Sequence, residues 1–152
     1  MLGLNHNPML NIKRKRQQEK LHKPFKNLKE VLEEIKSFNR NLYICCLLTY
    51  GCLLRPHREI RELSWNDFSD NLDFIYLSGN RNKSGKNRIV PVPEFVRMEL
   101  NQNRPNLNIF SNTPKPFNNS YFKSLWLKYK AKSKILQDNQ TLYSFRHSGA
   151  LN

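Results

Sequence analysis

Three clusters of basic residues stand at predicted boundaries between secondary-structure elements, where functional side chains are often presented. Arg55 lies between two predicted helices, KSGKNR covers 83–88, and Arg146 precedes His147 near the end of the sequence. Two guanidinium groups can hold both non-bridging oxygens of a phosphate by planar, charge-assisted hydrogen bonds. A lysine on a loop can donate a proton to a leaving oxygen. These residue types suit phosphoryl transfer, although a basic protein that only contacts DNA could carry arginines at the same positions.

The net charge of the chain indicates a polyanionic partner. Its 152 residues include 26 lysines and arginines against 12 aspartates and glutamates, which gives a formal net charge of +14. Lysine and arginine side chains displace the counterions that are condensed on phosphates. The excess therefore favours a nucleic acid over an anionic membrane or an acidic protein as the partner.

The apolar stretches argue against a membrane or secreted protein. The longest, LYICCLLTYGCLL, is too short and too interrupted to cross a bilayer. The first residues, MLGLNHNPMLNIKRKR, lack the order of basic, apolar and small residues of a secretory signal. Because Cys45, Cys46 and Cys52 share that apolar stretch and no histidine stands at ligand spacing, we expect buried reduced thiols and no metal. The sequence predicts a cytoplasmic protein.

Hydrophobic periodicity predicts three helices in the first half of the chain. Asn27 and Glu30 favour a helix start, and apolar residues then repeat at helical spacing up to Phe38. The run 42–54 is almost wholly apolar, which predicts a buried helix. RPHREIRELSW should then form another helix, with Pro56 in its first turn and Ile60 and Leu63 facing inward.

The second half begins with a predicted β-hairpin. The runs LDFIYLSG and RIVPVP are β-type, and NRNKSGKN between them combines turn formers with basic residues. A helix over 94–101, a loop over 103–119, a helix after Ser120 and a last helix from Thr141 complete the order. Aromatic residues repeat at helical spacing after Ser120, which favours core packing over a base-stacking platform. The predicted class is α+β, mainly helical with a small antiparallel sheet.

Three segments resemble the active-site boxes of the tyrosine recombinases, or phage-type integrases. LTYGCLLRPHREIRELSWNDF is similar to the first box, in which an arginine is followed by a helix with a carboxylate and then by L-x-W-x-D. KSGKNRIVPVP is similar to the hairpin lysine and its following strand, and TLYSFRHSGA to the box with the second arginine. The boxes stand in family order. Their details look closest to integrases of mobile elements in Bacteroides-like bacteria.

The resemblance implies a role for each matching position. Arg55 and Arg146 would jointly hold the scissile phosphate. Lys83 would protonate the leaving 5′ oxygen. Lys86, three residues further along the same hairpin, is the other lysine that could match this position. Glu59 would orient the first arginine, although one residue more than usual separates it from Arg55; both spacings keep the side chains on one helix face. Family members act on double-stranded DNA without a metal or nucleotide cofactor.

Tyr143 stands where most members of the family have a histidine that acts in proton transfer. The ordinary pKa of a phenol is far above that of an imidazole. Tyr143 is therefore expected to position a phosphate or a nucleophile by hydrogen bonding, or else to be simply buried. His147 matches the second histidine of the box, which is more often structural, whereas His22 and His57 match no position and should be solvated or face DNA. The positions expected to contact DNA are Lys13, Arg14, Lys15, Arg16, Arg81, Lys86, Arg88 and His147.

The main arginines also have ordinary structural explanations. Arg55 could be a cation at a helix end, and Arg146 could pair with Asp67 or Asp138. Each explanation suffices for one residue, but together they do not account for three boxes in family order.

The resemblance divides the chain into two parts. Residues 1–24, with the run KRKRQQEKLHK, are predicted to be a basic linker or the remnant of an N-terminal core-binding domain. This segment could lie on a phosphate backbone or be merely solvated. Residues 25–152 are predicted to be part of a catalytic domain. The attacking tyrosine of the family follows the second arginine by a few dozen residues, so we expect the sequence to stop before it.

The predicted function is site-specific DNA recombination or integration through a phosphotyrosine intermediate in the full-length enzyme, which would self-associate on DNA. A chain with the phosphate-binding arginines but without the nucleophile should bind DNA and form no covalent link. The alternative is a non-catalytic DNA-binding module that occupies recombination sites. The residue patterns of the three boxes resemble integrases more than type IB topoisomerases, so an enzyme of the topoisomerase kind is disfavoured.

Overall fold

The structure is a computed structural model, and it describes residues 24–81, 85–100 and 104–150. Helix α1 spans Leu28–Phe38 and helix α2 spans Arg40–Cys52. The side chain of Asn39, between them, accepts a hydrogen bond from the N–H of Leu42 and so caps α2. Asn27 takes the predicted cap position of α1 but makes no side-chain capping bond. Packing of the apolar face of α1, rather than its cap, therefore holds this helix in place.

Helix α2 is the centre of the core, as its apolar sequence predicts. Its three cysteines are buried and free, and they lie in one cluster with the inner face of α1. Burial raises the pKa of the Cys45 and Cys46 thiols above the ordinary value and raises that of Cys52 to about 12. At neutral pH these thiols stay protonated and pack as small apolar side chains.

The segment after α2 is less helical than the sequence predicts. One turn of π-helix spans Pro56–Ile60 and one turn of 3₁₀-helix spans Trp65–Asp67. Between them the backbone pairs with a distant loop, since the N–H of Ile109 donates to the carbonyl of Leu63 across 3.0 Å. This long-range pairing takes the place of helical hydrogen bonds, and the periodicity of the sequence does not reveal it. Leu63 is fully buried, as predicted.

The predicted hairpin is confirmed. Strand β1 spans Phe74–Leu77 and pairs antiparallel with strand β2, Arg88–Pro91. At the neck of the loop between them, the N–H of Gly79 donates to Oδ1 of Asn87 across 2.8 Å. A Cβ at Gly79 would lie only 2.3 Å from the carbonyl oxygen of Gly85. The two sides of the loop therefore approach backbone to backbone at a position that only glycine fits.

The remaining elements follow the predicted order. Helix α3 spans Glu94–Arg97, which is shorter than the helix predicted over 94–101. After a loop, helix α4 spans Tyr121–Lys132 and helix α5 spans Leu142–Ala150. The predicted core role of the aromatic face of α4 is confirmed by its buried residues, which are Phe122, Trp126 and Tyr129.

Helix α5 packs directly on α2. A Cβ at Gly149 would lie 2.2 Å from the carbonyl oxygen of Tyr50, so the two backbones touch there. On the inner face of α5, Phe145 is fully buried, and its ring centroid lies 4.4 Å from that of Phe25. This close packing brings Arg146 to the carboxyl end of α2.

The predicted class is confirmed: the described residues form an α+β arrangement, mainly helical with a two-stranded antiparallel sheet. None of the helices in this part of the chain is long and apolar enough to cross a membrane. Within the same ranges, no group of three or more histidines, cysteines and acidic residues could hold a metal ion.

Candidate active site

The end of α2 places Arg55 and Arg146 at one site. Leu53 ends the helix in the left-handed conformation, with φ of 57° and ψ of 32°, which is strained for a residue with a branched side chain. Its carbonyl oxygen accepts a hydrogen bond from Nε of Arg146 across 2.9 Å. Arg55 follows in extended conformation and leads into the π-helical turn. The turn at Leu53 thus brings the first box against helix α5, which carries the third.

Glu59 connects the first box to the hairpin. Its side chain is almost completely buried, with 1% exposed. Oε1 accepts the backbone N–H of Arg55 across 2.8 Å, and Oε2 lies 3.3 Å from a terminal nitrogen of Arg88. The buried carboxylate therefore fixes the backbone at Arg55 and the first residue of β2 at once.

Three arginines lie in the same region as this carboxylate: Glu59 holds the backbone of Arg55 and the guanidinium of Arg88, and Arg146 feels the charges of all three residues. Burial lowers the pKa of the Arg146 guanidinium, and the positive charges of Arg55 and Arg88 lower it further, while Glu59 acts in the opposite direction. These groups are therefore close enough for their charges to interact. One carboxylate cannot neutralise three guanidiniums, so the site retains positive charge in a partly desolvated position. Such a position favours an anion with several oxygen acceptors.

Tyr143 and His147 lie beside Arg146. With Ala150, these residues line a cleft of about 170 Å³ on α5. Tyr143 is half-buried and acts to raise the pKa of Arg146, whereas His147 is exposed. The predicted hydrogen-bonding role of Tyr143 and the predicted DNA contact of His147 stay predictions, but both side chains border the cleft that Arg146 faces.

His57 is a member of this region that sequence reasoning did not assign. Its ring centroid lies 6.0 Å from that of Tyr143, and Nδ1 is buried without a hydrogen-bond partner among the described residues. Burial lowers its pKa, and the charges of Lys123 and Arg61 lower it further. Burial therefore favours the neutral imidazole, and the side chain is half-buried, whereas the sequence led us to expect it to be solvated or to face DNA. No signal in RPHRE distinguishes it, since its neighbours across the fold come from distant segments.

The remaining predicted DNA contacts differ in their surroundings. Lys86 is exposed near the tip of the hairpin. Arg81 is engaged inside the protein, because a terminal nitrogen lies 2.7 Å from Oδ1 of Asp67. Five predicted residues lie outside the described ranges: Lys13, Arg14, Lys15, Arg16 and Lys83.

The ion pairs proposed as ordinary explanations for Arg146 are not formed. Asp67 binds Arg81 instead, and Asp138 contributes its carbonyl oxygen to the side chain of Lys130 across 2.9 Å. The polar partner of Arg146 is the Leu53 carbonyl, a contact that no charge pattern in the sequence predicts.

The solved structures that share this fold include two of the integrase of transposon Tn1549 in complex with circular intermediate DNA. The first matches with a TM-score of 0.52 and 18% identity and covers 83% of this chain and 51% of the integrase chain. The second matches with a TM-score of 0.50 and 18% identity over 83% and 50% of the two chains. The chain thus shares the fold of about half of this integrase chain.

This integrase-type fold is what the likeness establishes at such low identity. The chain spans about half the length of the two integrase chains that it matches. No protein-family model and no curated protein matches the sequence.

Proposed function

We propose that this chain binds DNA and holds a scissile phosphate as part of the catalytic domain of a tyrosine-type site-specific recombinase. The observation that carries the proposal is that the buried carboxylate of Glu59 holds both the backbone of Arg55 and the side chain of Arg88. Arg146 joins them through its hydrogen bond to the carbonyl of Leu53, two residues before Arg55. These residues come from all three sequence boxes. The fold, shared with a transposon integrase bound to DNA, supports the same function.

The chemistry proposed for the site is strand cleavage by phosphoryl transfer. Arg55 and Arg146 bind the two non-bridging oxygens and stabilise the charge that develops there. In the full-length enzyme a tyrosine hydroxyl attacks the phosphorus and gives up its proton to solvent. The bond to the 5′ oxygen breaks as the new bond forms, and Lys83 gives that oxygen a proton. Tyr143 orients the phosphate or the nucleophile by hydrogen bonding. No metal or nucleotide cofactor takes part.

We infer a setting in DNA integration by a mobile element of the Bacteroides type. Residues 25–152 would supply the phosphate-binding part of the domain, and residues 1–24 a basic linker or the remnant of a core-binding domain. The full-length protein would self-associate on DNA in the cytoplasm. Because the resemblance puts the nucleophile beyond the third box, we expect this chain by itself to bind DNA without cleaving it.

Two measurements with this chain test the proposal. Fluorescence anisotropy with a labelled DNA duplex should show binding that weakens steeply as salt is raised, because bound phosphates release counterions. A nicked suicide substrate should give no covalent complex. Absence of DNA binding at low salt would refute the proposed function, and a covalent DNA complex would refute the expected lack of a nucleophile.

A companion experiment separates the recombinase from the non-catalytic alternative. The chain would be extended at its carboxyl end by a family-type segment that carries the late tyrosine. Cleavage of the suicide substrate by the extended protein, lost on Arg55→Ala, supports the recombinase. DNA binding without cleavage in every extension would favour a module that only occupies recombination sites.

A further inference from the structure

Three arginines tie the hairpin to the segment that follows α2. A terminal nitrogen of Arg58 donates to the carbonyl of Asn80 across 2.9 Å, on the first side of the loop. Arg81, one residue further, reaches the carboxylate of Asp67. On the second side, Arg88 reaches the buried Glu59. Both sides of the loop between β1 and β2 are therefore held by segment 55–67, which also carries the first arginine of the site.

The contact of Arg81 has the most defined geometry of the three. One terminal nitrogen donates to Oδ1 of Asp67 across 2.7 Å, and the other donates to the carbonyl of Glu62 across 3.3 Å. Asp67 is itself held, since Oδ2 accepts the backbone N–H of Ser64 across 2.9 Å. The side chains of Arg81 and Asp67 are only 22% and 16% exposed. A guanidinium that is forked between two acceptors and largely covered is poorly placed to contact a phosphate as well.

We propose that Arg81 is a positioning residue, which fastens the basic hairpin to the arginine site through Asp67 and does not itself contact DNA. The proposal rests on the proposed function, because it concerns the same DNA-binding surface. It assigns a purpose to the aspartate that closes the first box, WND: Asp67 holds the 3₁₀ turn with one oxygen and the hairpin with the other. Loss of either partner frees the first side of the loop and lowers the affinity for DNA indirectly.

A positioning residue and a phosphate contact predict opposite results for the variants. If Arg81 only positions the hairpin, Asp67→Asn and Arg81→Ala should each weaken DNA binding, and the double variant should be no worse than either. Arg81→Lys should not restore binding, because an ammonium group does not reproduce the forked contact. The slope of log affinity against log salt should stay as in the unaltered chain, since no phosphate contact is lost.

The experiment combines amide hydrogen exchange with DNA binding on the whole chain. Without DNA, the backbone amides at positions 79 and 81 should exchange about tenfold faster in Arg81→Ala than in the unaltered chain. Local opening is easier there by roughly the free energy of one charged hydrogen bond. Arg40→Ala is the matched control. Arg40 makes the same kind of forked contact, with the carboxylate of Glu99 across 3.2 Å and with its carbonyl across 2.8 Å, but on α2. The Arg40→Ala variant should leave amide exchange at positions 79 and 81 unchanged.

The proposal is overturned if exchange at Gly79 and Arg81 does not change, or if Asp67→Asn binds DNA as well as the unaltered chain. It is also overturned if Arg81→Ala lowers the salt slope by about one and Arg81→Lys restores binding, because that is the behaviour of a phosphate contact. If the unaltered chain does not bind DNA, the proposed function fails instead. Hydrogen exchange then still decides whether Arg81 holds the hairpin.

Discussion

Nε of Arg146 donates a hydrogen bond to the carbonyl oxygen of Leu53 across 2.9 Å, and this bond joins helix α5 to the end of α2. The carbonyl points to Arg146 because Leu53 adopts a left-handed conformation that leucine rarely takes, at a cost of about 1 kcal/mol. The bond engages only Nε, so within the described part of the chain the two terminal nitrogens keep their geometry for a bidentate contact with an anion. Arg146 is thereby oriented before any ligand binds.

This orientation predicts that lysine cannot replace Arg146. In a protein extended with its nucleophile, Arg146→Lys should lower the cleavage rate about 100-fold or more, since one pre-oriented donor to the reacting phosphate is lost. DNA affinity, measured by anisotropy, should fall less than about tenfold, because the many other cations still bind the backbone. Arg104→Lys, at an exposed arginine in the loop before α4, is the control. Near-normal cleavage by Arg146→Lys would remove Arg146 from the site.

The contact between α2 and α5 predicts a large effect of a single methyl group. Gly149→Ala would place a Cβ 2.2 Å from the carbonyl oxygen of Tyr50, so α5 must move away from α2. We expect the free energy of unfolding to fall by about 1–3 kcal/mol, which urea denaturation followed by circular dichroism would measure. Ala150→Gly is the control on the exposed side of the same helix. Unchanged stability of Gly149→Ala would show that the helices do not touch there.

The surroundings of His57 predict a pH dependence of stability. Burial lowers its pKa in the folded protein, so the unfolded chain binds a proton more readily, from its ordinary pKa of about 6.5 downward. The contribution of His57 to folding stability is therefore complete above about pH 6.5, and it is lost as the pH falls through the lowered pKa. Melting temperatures of the unaltered chain and of His57→Gln should therefore run in parallel above about pH 6.5 and diverge as the pH falls below it. Parallel curves would mean that His57 is protonated equally in both states.

The contacts of Phe25 predict that the first described residues contribute to stability. Its N–H donates to Oγ of Ser148 across 3.0 Å, and its ring packs against Phe145. Deletion of residues 1–23 should leave the melting temperature unchanged. Deletion of residues 1–26 should lower it by several degrees, which corresponds to a loss of about 1–3 kcal/mol in the free energy of unfolding. If the shorter deletion already destabilises the protein, residues before Pro24 contribute to its stability as well.

The same shorter deletion tests the basic segment. If Lys13, Arg14, Lys15 and Arg16 contact phosphates, their removal should reduce the slope of log affinity against log salt by up to about four. An unchanged slope would mean that the segment is merely solvated.

The sequence by itself determined the α+β class, the order of the helices and the hairpin, and the buried position of α2. It could do so because hydrophobic periodicity and turn-forming residues act over a few positions. It also singled out Arg55, Glu59 and Arg146, since their boxes resemble those of a known family. The contact of Glu59 with both Arg55 and Arg88, and the bond of Arg146 to the carbonyl of Leu53, depended on the tertiary structure.

Other features were decided only by contacts between distant segments. The helix predicted after Pro56 is cut short because the loop at Ile109 pairs with the backbone at Leu63. Arg81 turns inward because Asp67, on another element, offers a largely covered carboxylate. The neutral state of His57 likewise follows from its burial beside Tyr143 and from nearby cations. Such interactions depend on distances across the fold, which the local pattern of residue types does not contain.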